Sequence, residues 1–231
     1  MQQFAVAFMM ACDVERRPQR KGEKAHSGWQ PAKRHFGSGT EAHPEGKLLY
    51  GLERMLGMRA LISMKGAKRI VIPGKVEQRY ADECIWIDGF ESEPWQGYIL
   101  RKILTEDLGV DSRLVEWIKS DAGSIEAIRA ILTYVRDHGL QYKDIVIVTN
   151  AYHFERVYHI LQDERAYEVR ILSAETLLLM ESEENAKLLA DVYKGPNLLA
   201  RMLDEWSGAG ALLKRAYSPR RHGWKKFPVF R

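Results

Sequence analysis

The sequence predicts an α/β fold: a three-layer sandwich with a mostly parallel five-stranded sheet, helices on both faces, C-terminal helices and a basic tail. Three observations carry this. Five apolar runs, at 4–12, 70–72, 114–118, 145–148 and 169–172, the first unbroken over nine residues and the other four rich in Val, Ile and Leu, read as strands buried on both faces. Helical periodicities fall between them, and this alternation is the pattern of parallel strands joined by crossover helices. Hydrophobic content of 45% and charged content of 29% are ordinary for a globular chain with a sizeable core.

In chain order, the first run (4–12) has no Lys or Arg before it and ends at Asp13. It lacks the basic leader of a signal peptide and the length of a membrane span. It is expected to be a central strand of a cytoplasmic protein. Residues 13–46 are rich in charge, Gly, Pro and His without apolar periodicity, and are expected to form a long loop or lid. His26, His35 and His43 lie in it at no metal-binding spacing and are expected to be solvated. Cys12 and Cys84 make no disulfide framework and are expected to be small buried thiols.

A helix is expected over 48–65, with Leu48, Leu52, Met55, Leu56 and Leu61 on one face and Gly57 loosening it. Ile70-Val71-Ile72 is a strand and Pro73-Gly74-Lys75 its exit turn. Residues 80–87 suit a short helix and 89–94 a loop. A helix over 95–108 is closed by Gly109. After the strand at 114–118 comes a polar exit, Lys119-Ser120-Asp121-Ala122-Gly123-Ser124. A strongly amphipathic helix follows over 124–138, with Ile125, Ile128, Ile131, Leu132 and Val135 sharing a face. Ile145-Val146-Ile147-Val148 leads through Thr149-Asn150 into a helix carrying Tyr152, His153 and Arg156 in its first turn. After the fifth strand, Ser173-Ala174-Glu175 is the exit, and helices at 183–193 and 197–206 are separated by Gly195-Pro196. Residues 1–206 read as one domain and 207–231 as the tail.

Right-handed crossovers place the C-terminal ends of all parallel strands on one side of the sheet, where ligands bind. That gathers Asp13, Gly74, Lys75, Ser120, Ser124, Asn150, Tyr152, His153, Arg156, Ser173 and Glu175. A helix N-terminus with His153 and Arg156 suits an anion, because free amides and a guanidinium converge there. Asn150 and Tyr152 are expected to contact the ligand, with Ser120, Ser124, Gly74 and Asp13 across the crevice. His153 is the candidate acid or base, and Glu126 its partner.

The segment Val148-Thr149-Asn150-Ala151-Tyr152-His153-Phe154-Glu155-Arg156 resembles the YdcF-like family, which includes SanA-like and ElyC-like proteins. Members carry a strand ending in a Val-Thr-Ser-like turn, then Tyr-His, a hydrophobic residue, one more residue and Arg. An Asn-Thr-x-Glu element of that family has its counterpart in Gly123-Ser124-Ile125-Glu126. Where the family has Gly-Gly and Ser-Gly-Gly turns, this chain has Cys12-Asp13 and Pro73-Gly74-Lys75. The resemblance implies a Rossmann-like fold and a small-molecule site, with S-adenosylmethionine as one expected cofactor.

The formal net charge of +4 is concentrated in residues 214–231, which hold seven Lys or Arg and no acid. Without them acidic residues outnumber basic ones. In this tail Arg220, Arg221, Lys225 and Lys226 are interleaved with Tyr217, Trp224 and Phe227. The alternative expectation is therefore a nucleic-acid or ribosome-associated protein acting through the tail.

Overall fold

The computed structural model describes residues 3–19, 21–32 and 51–192. Its centre is a five-stranded sheet with every strand parallel: β1 (Val6–Met9), β4 (Ile70–Gly74), β7 (Val115–Lys119), β8 (Ile145–Thr149) and β9 (Arg170–Ser173), in the order β7-β4-β1-β8-β9. The chain winds outward from β1 to one edge, then returns to place β8 on the other side of β1. The β1/β8 boundary is thus the point where strand order reverses, and the crevice above it is where doubly wound sheets bind ligands. Register runs from Val6 opposite Ile145 to Met9 opposite Val148, and Thr149 lies opposite Ser173.

The two-residue period of the strands divides the core. Ala7, Met9, Val146 and Val148 face α1 (Gly51–Ser63), α2 (Gln96–Lys102) and α5 (Ala174–Glu181), against Met55, Met58, Leu61, Ile99, Leu100 and Leu177. Val6, Phe8, Ile145 and Ile147 face α3 (Ser124–Asp137) and α4 (Phe154–Asp163), against Ile128, Ile131, Val157 and Ile160. The last helix among the described residues, α6 (Asn185–Val192), matches the expected 183–193 segment in outline. The expected helix at 197–206, the basic tail, and the first residues of the 48–65 helix lie outside the described residues.

Several local expectations are corrected. The start of the charged 13–46 segment is ordered as an antiparallel ribbon, β2 (Val14–Arg16) with β3 (Trp29–Pro31). It is held by burial of Val14 and Trp29, by edge-to-face contact of Trp29 with Tyr80, and by the Arg16 guanidinium 3.9 Å over the Trp29 ring. Three-residue strands are too short to show alternation in sequence. His26 is not a solvated histidine: its side chain is mostly buried and Nδ1 accepts from Gly28 N–H at 2.9 Å. His35 and His43 lie outside the described residues. Cys12 is buried as expected, but Cys84 is exposed.

Pro73 and Gly74 are not an exit turn but the last residues of β4, paired with Ile118 and Lys119. The ladder to β1 involves only Ile70 and Val71, so Pro73 lies beyond it and its missing N–H costs no bond there. The expected helix at 80–87 and the loop after it form instead a 3₁₀ turn (Gln78–Tyr80) and a hairpin, β5 (Ile85–Ile87) with β6 (Phe90–Ser92). The signal was present: Asp88-Gly89, both at positive φ, is a turn dipeptide that joins strands tightly. The expected 95–108 helix is α-helical only to Lys102, after which Ile103–Asp107 widens into a π-turn.

Candidate functional site

Strand β8 ends at Thr149, and a 3₁₀ turn (Ala151–His153) precedes α4. His153 is therefore held against the strand end rather than presented on an α-helical turn. It is buried, and its Nδ1 lies 2.9 Å from Thr149 Oγ1 while its Nε2 lies 3.2 Å from Ser124 Oγ. Ser124 is half-buried and opens α3, twenty-nine residues earlier in the chain. This hydrogen bond joins the loop after edge strand β7 to the strand beside β1, and so bridges the crevice.

Thr149 is fully buried, and among the described residues its hydroxyl bonds only to His153. A hydroxyl that donates to Nδ1 satisfies its own proton and leaves the imidazole proton on Nε2, donating to Ser124 Oγ. The opposite tautomer strands a buried hydroxyl donor at a cost of roughly 1–3 kcal/mol. In the favoured arrangement the Ser124 hydroxyl proton is left for a ligand. The N-cap of α3 is Gly123, at φ 112°, which supplies no capping side chain. The first-turn amides of α3, with the positive end of its dipole, therefore face the same place.

Asn150 and its surroundings behave differently. Asn150 is fully buried. Its Oδ1 accepts from Arg54 Nε and Nη2 at 2.9 and 2.6 Å, and its Nδ2 donates to Glu175 Oε1 at 3.1 Å. Arg54 Nη1 also donates to the Met10 and Ala11 carbonyls, at 2.5 and 2.8 Å, which pins the end of β1. Glu175, in the first turn of α5, accepts from Ala151 N–H at 2.9 Å. The amide at the start of this turn is therefore occupied by an internal carboxylate. Tyr152 is half-buried, and its hydroxyl donates to Asn150 Oδ1 at 3.4 Å. Arg156, also half-buried, stands one turn beyond His153 on α4. Burial, then repulsion from Glu175, raises the carboxyl pKa of neighbouring Glu53. Neither Arg54 nor Glu53 was expected from the sequence, where two adjacent charges on a helix read as solvated; the structure buries both.

Across the crevice, Asp13 is buried and accepts from Gln96 Nε2 at 3.0 Å, with Lys75 Nζ 3.9 Å away. The same Gln96 nitrogen donates to Glu77 Oε2 at 3.0 Å, and that oxygen also takes Val14 N–H at 3.0 Å. This knot ties β2, the exit of β4 and the start of α2 together. Cys12, next to Asp13, is buried and its thiol is pushed up to about 12, by burial first, so it stays protonated. Gly74 has a packing role: a Cβ there would sit 2.1 Å from Gly97 N. Ser120 is half-buried and its amide donates to the Gly74 carbonyl at 3.0 Å.

The structure thus brings Ser124 together with His153, Asn150 with Tyr152 and Glu175, and Asp13 with Lys75. It does not join Glu126 to His153. Glu126 bonds to Arg129 at 3.2 Å, and Arg129 reaches Glu164 at 2.8 Å, in a network between α3 and the end of α4. Among the described residues no group of three or more His, Cys, Asp or Glu is placed to hold a metal ion, and no helix is long and apolar enough to cross a membrane. Compared with protein-family models, curated proteins and solved structures, the chain matches none.

Proposed function

We propose that this chain binds a small anionic molecule, of nucleotide or S-adenosylmethionine type, in the crevice above the β1/β8 boundary, as its resemblance to the YdcF-like family implies. The observation that supports this best is the hydrogen bond between His153 and Ser124 beside a helix start whose N-cap is a glycine. The Ser124 hydroxyl and the first amides of α3 lie there, and Arg156 follows one turn along α4, as the residue proposed to hold the anion. A phosphate or carboxylate satisfies such a set. On the far side the Lys75–Asp13 pair is the polar contact proposed for a hydroxyl or amine of the ligand. Asn150 and Glu175 act as struts beneath the site. If the bound molecule reacts, His153 is the group placed to pass a proton through Ser124.

A thermal-shift screen of nucleotides, S-adenosylmethionine and sugar phosphates, run on the wild type, Arg156→Ala and Ser124→Ala, tests this. A compound that stabilises the wild type and neither variant is the expected result. Equal stabilisation of all three removes the anion site from this crevice.

A further inference from the structure

We propose that the β5–β6 ribbon is a docking surface for the chain's own basic tail, residues 214–231. The ribbon turns tightly through Asp88 and Gly89. Ile87 is buried and half-buried Ile85 packs against the core, but Trp86 is 70% exposed and Phe90 76% exposed. Cross-strand pairing puts Trp86 with Glu91 on one face and Phe90 with Ile87 on the other, so the two open rings flank the tip of this projection, where a segment wrapping the tip meets both.

Charge identifies the occupant. Between Asp82 and Glu93 there are five carboxylates and no Lys or Arg. Glu83 pairs with Arg16, whereas Asp82, Asp88, Glu91 and Glu93 are exposed and form no ion pair among the described residues. Glu91 lies opposite Trp86 on the same side of the ribbon. Such a surface repels nucleic acid and anionic lipid, and attracts cations both by charge and through aromatic ring faces. Residues 214–231 have the complementary composition, seven Lys or Arg, no acid, and three aromatic residues among them before Val229. Roughly twenty residues separate α6 from the tail, a reach of about 50 Å when the expected helix over 197–206 is counted at its helical rise, against a radius of gyration of about 16 Å for a domain of this size. Tethering raises the effective concentration of the tail to the millimolar range, enough for weak contacts to hold. In this arrangement the basic tail is covered by an internal acidic surface.

The test is limited tryptic cleavage of the full-length chain, with cuts between Arg220 and Lys226 followed by mass spectrometry. The variants are Trp86→Ala/Phe90→Ala and, independently, Glu91→Lys/Glu93→Lys, each checked for an unchanged unfolding midpoint. At about 0.05 M salt the wild-type tail is expected to be cut several-fold more slowly, about ten-fold for two cation–π contacts, than in either variant. At about 0.5 M salt, where charges are screened, the difference should shrink sharply. Equal cleavage of wild type and variants at low salt overturns the proposal. Protection that grows with protein concentration assigns the ribbon to the tail of a second copy and overturns docking within one chain.

Discussion

Asn150→Ala is the perturbation that best separates a strut from a ligand contact. In the wild type two donors of the buried Arg54 guanidinium end on one Asn150 oxygen, and the Asn150 amide supports Glu175. Truncation leaves those two donors without that acceptor and removes a donor from the carboxylate. Hydrogen bonds to charged groups contribute about 1.5–3 kcal/mol each, and breaking one side of a buried charged network costs about 3–5 kcal/mol. The expected loss is therefore about 3–5 kcal/mol, or roughly 10 °C in melting temperature for a chain of this size. Urea unfolding at neutral pH measures it, with an unchanged m-value showing that the native state is intact. Tyr152→Phe is the control, since it removes the long 3.4 Å bond to the same oxygen and leaves both Arg54 donors their acceptor, and should cost less than about 1 kcal/mol. A cost for Asn150→Ala below about 1 kcal/mol, or one equal to that of Tyr152→Phe, would refute the strut.

Gly74→Ala should destabilise by about 1–3 kcal/mol or more, because the added Cβ meets the Gly97 backbone rather than a side chain able to move; thermal unfolding measures it. Glu53 has a raised folded-state pKa, so the native protein holds that proton at pH values where the unfolded chain has released it. Stability should be full below the unfolded value of about 4.3 and decline as pH rises through the folded one. Glu53→Gln should remove this decline, becoming the more stable protein at alkaline pH, and a series of urea midpoints against pH would show no such crossover if the carboxyl were ordinary. A thiol reagent at neutral pH should titrate one cysteine, Cys84, in the native protein and Cys12 only after unfolding. Two fast thiols in the native state would contradict the burial of Cys12.

The sheet was legible because its strands are buried on both faces. Ile145 to Val148 can read only as a strand, and each of its residues points into one of the two cores. The amphipathic stripe of α3 and the Ser124–His153 neighbourhood followed from the same logic, since crossover handedness sends both to one edge. The partner of His153 was misassigned by half a helical turn. Sequence spacing places Ser124 and Glu126 equally near, and only the start of α3 decides that Ser124 faces the imidazole while Glu126 turns to Arg129. Arg54 was invisible because an arginine on a helix reads as solvated until tertiary packing buries it. The β2–β3 and β5–β6 ribbons were lost to their length, three residues per strand, although Asp88-Gly89 carried the turn chemistry of the second. Pro73-Gly74 misled for the opposite reason: turn residues sit inside a strand where one neighbour has already ended and a helix must come close.

The central claim is that an anion binds between the start of α3 and the His153 turn. The most direct measurement is a titration of the isotopically labelled protein with inorganic pyrophosphate, followed residue by residue in amide and imidazole NMR spectra. Saturable shifts centred on Gly123, Ser124, Ile125, His153 and Arg156, with the His153 proton on Nε2, are the predicted result. Shifts confined to residues outside this crevice, or a His153 proton on Nδ1, would contradict it.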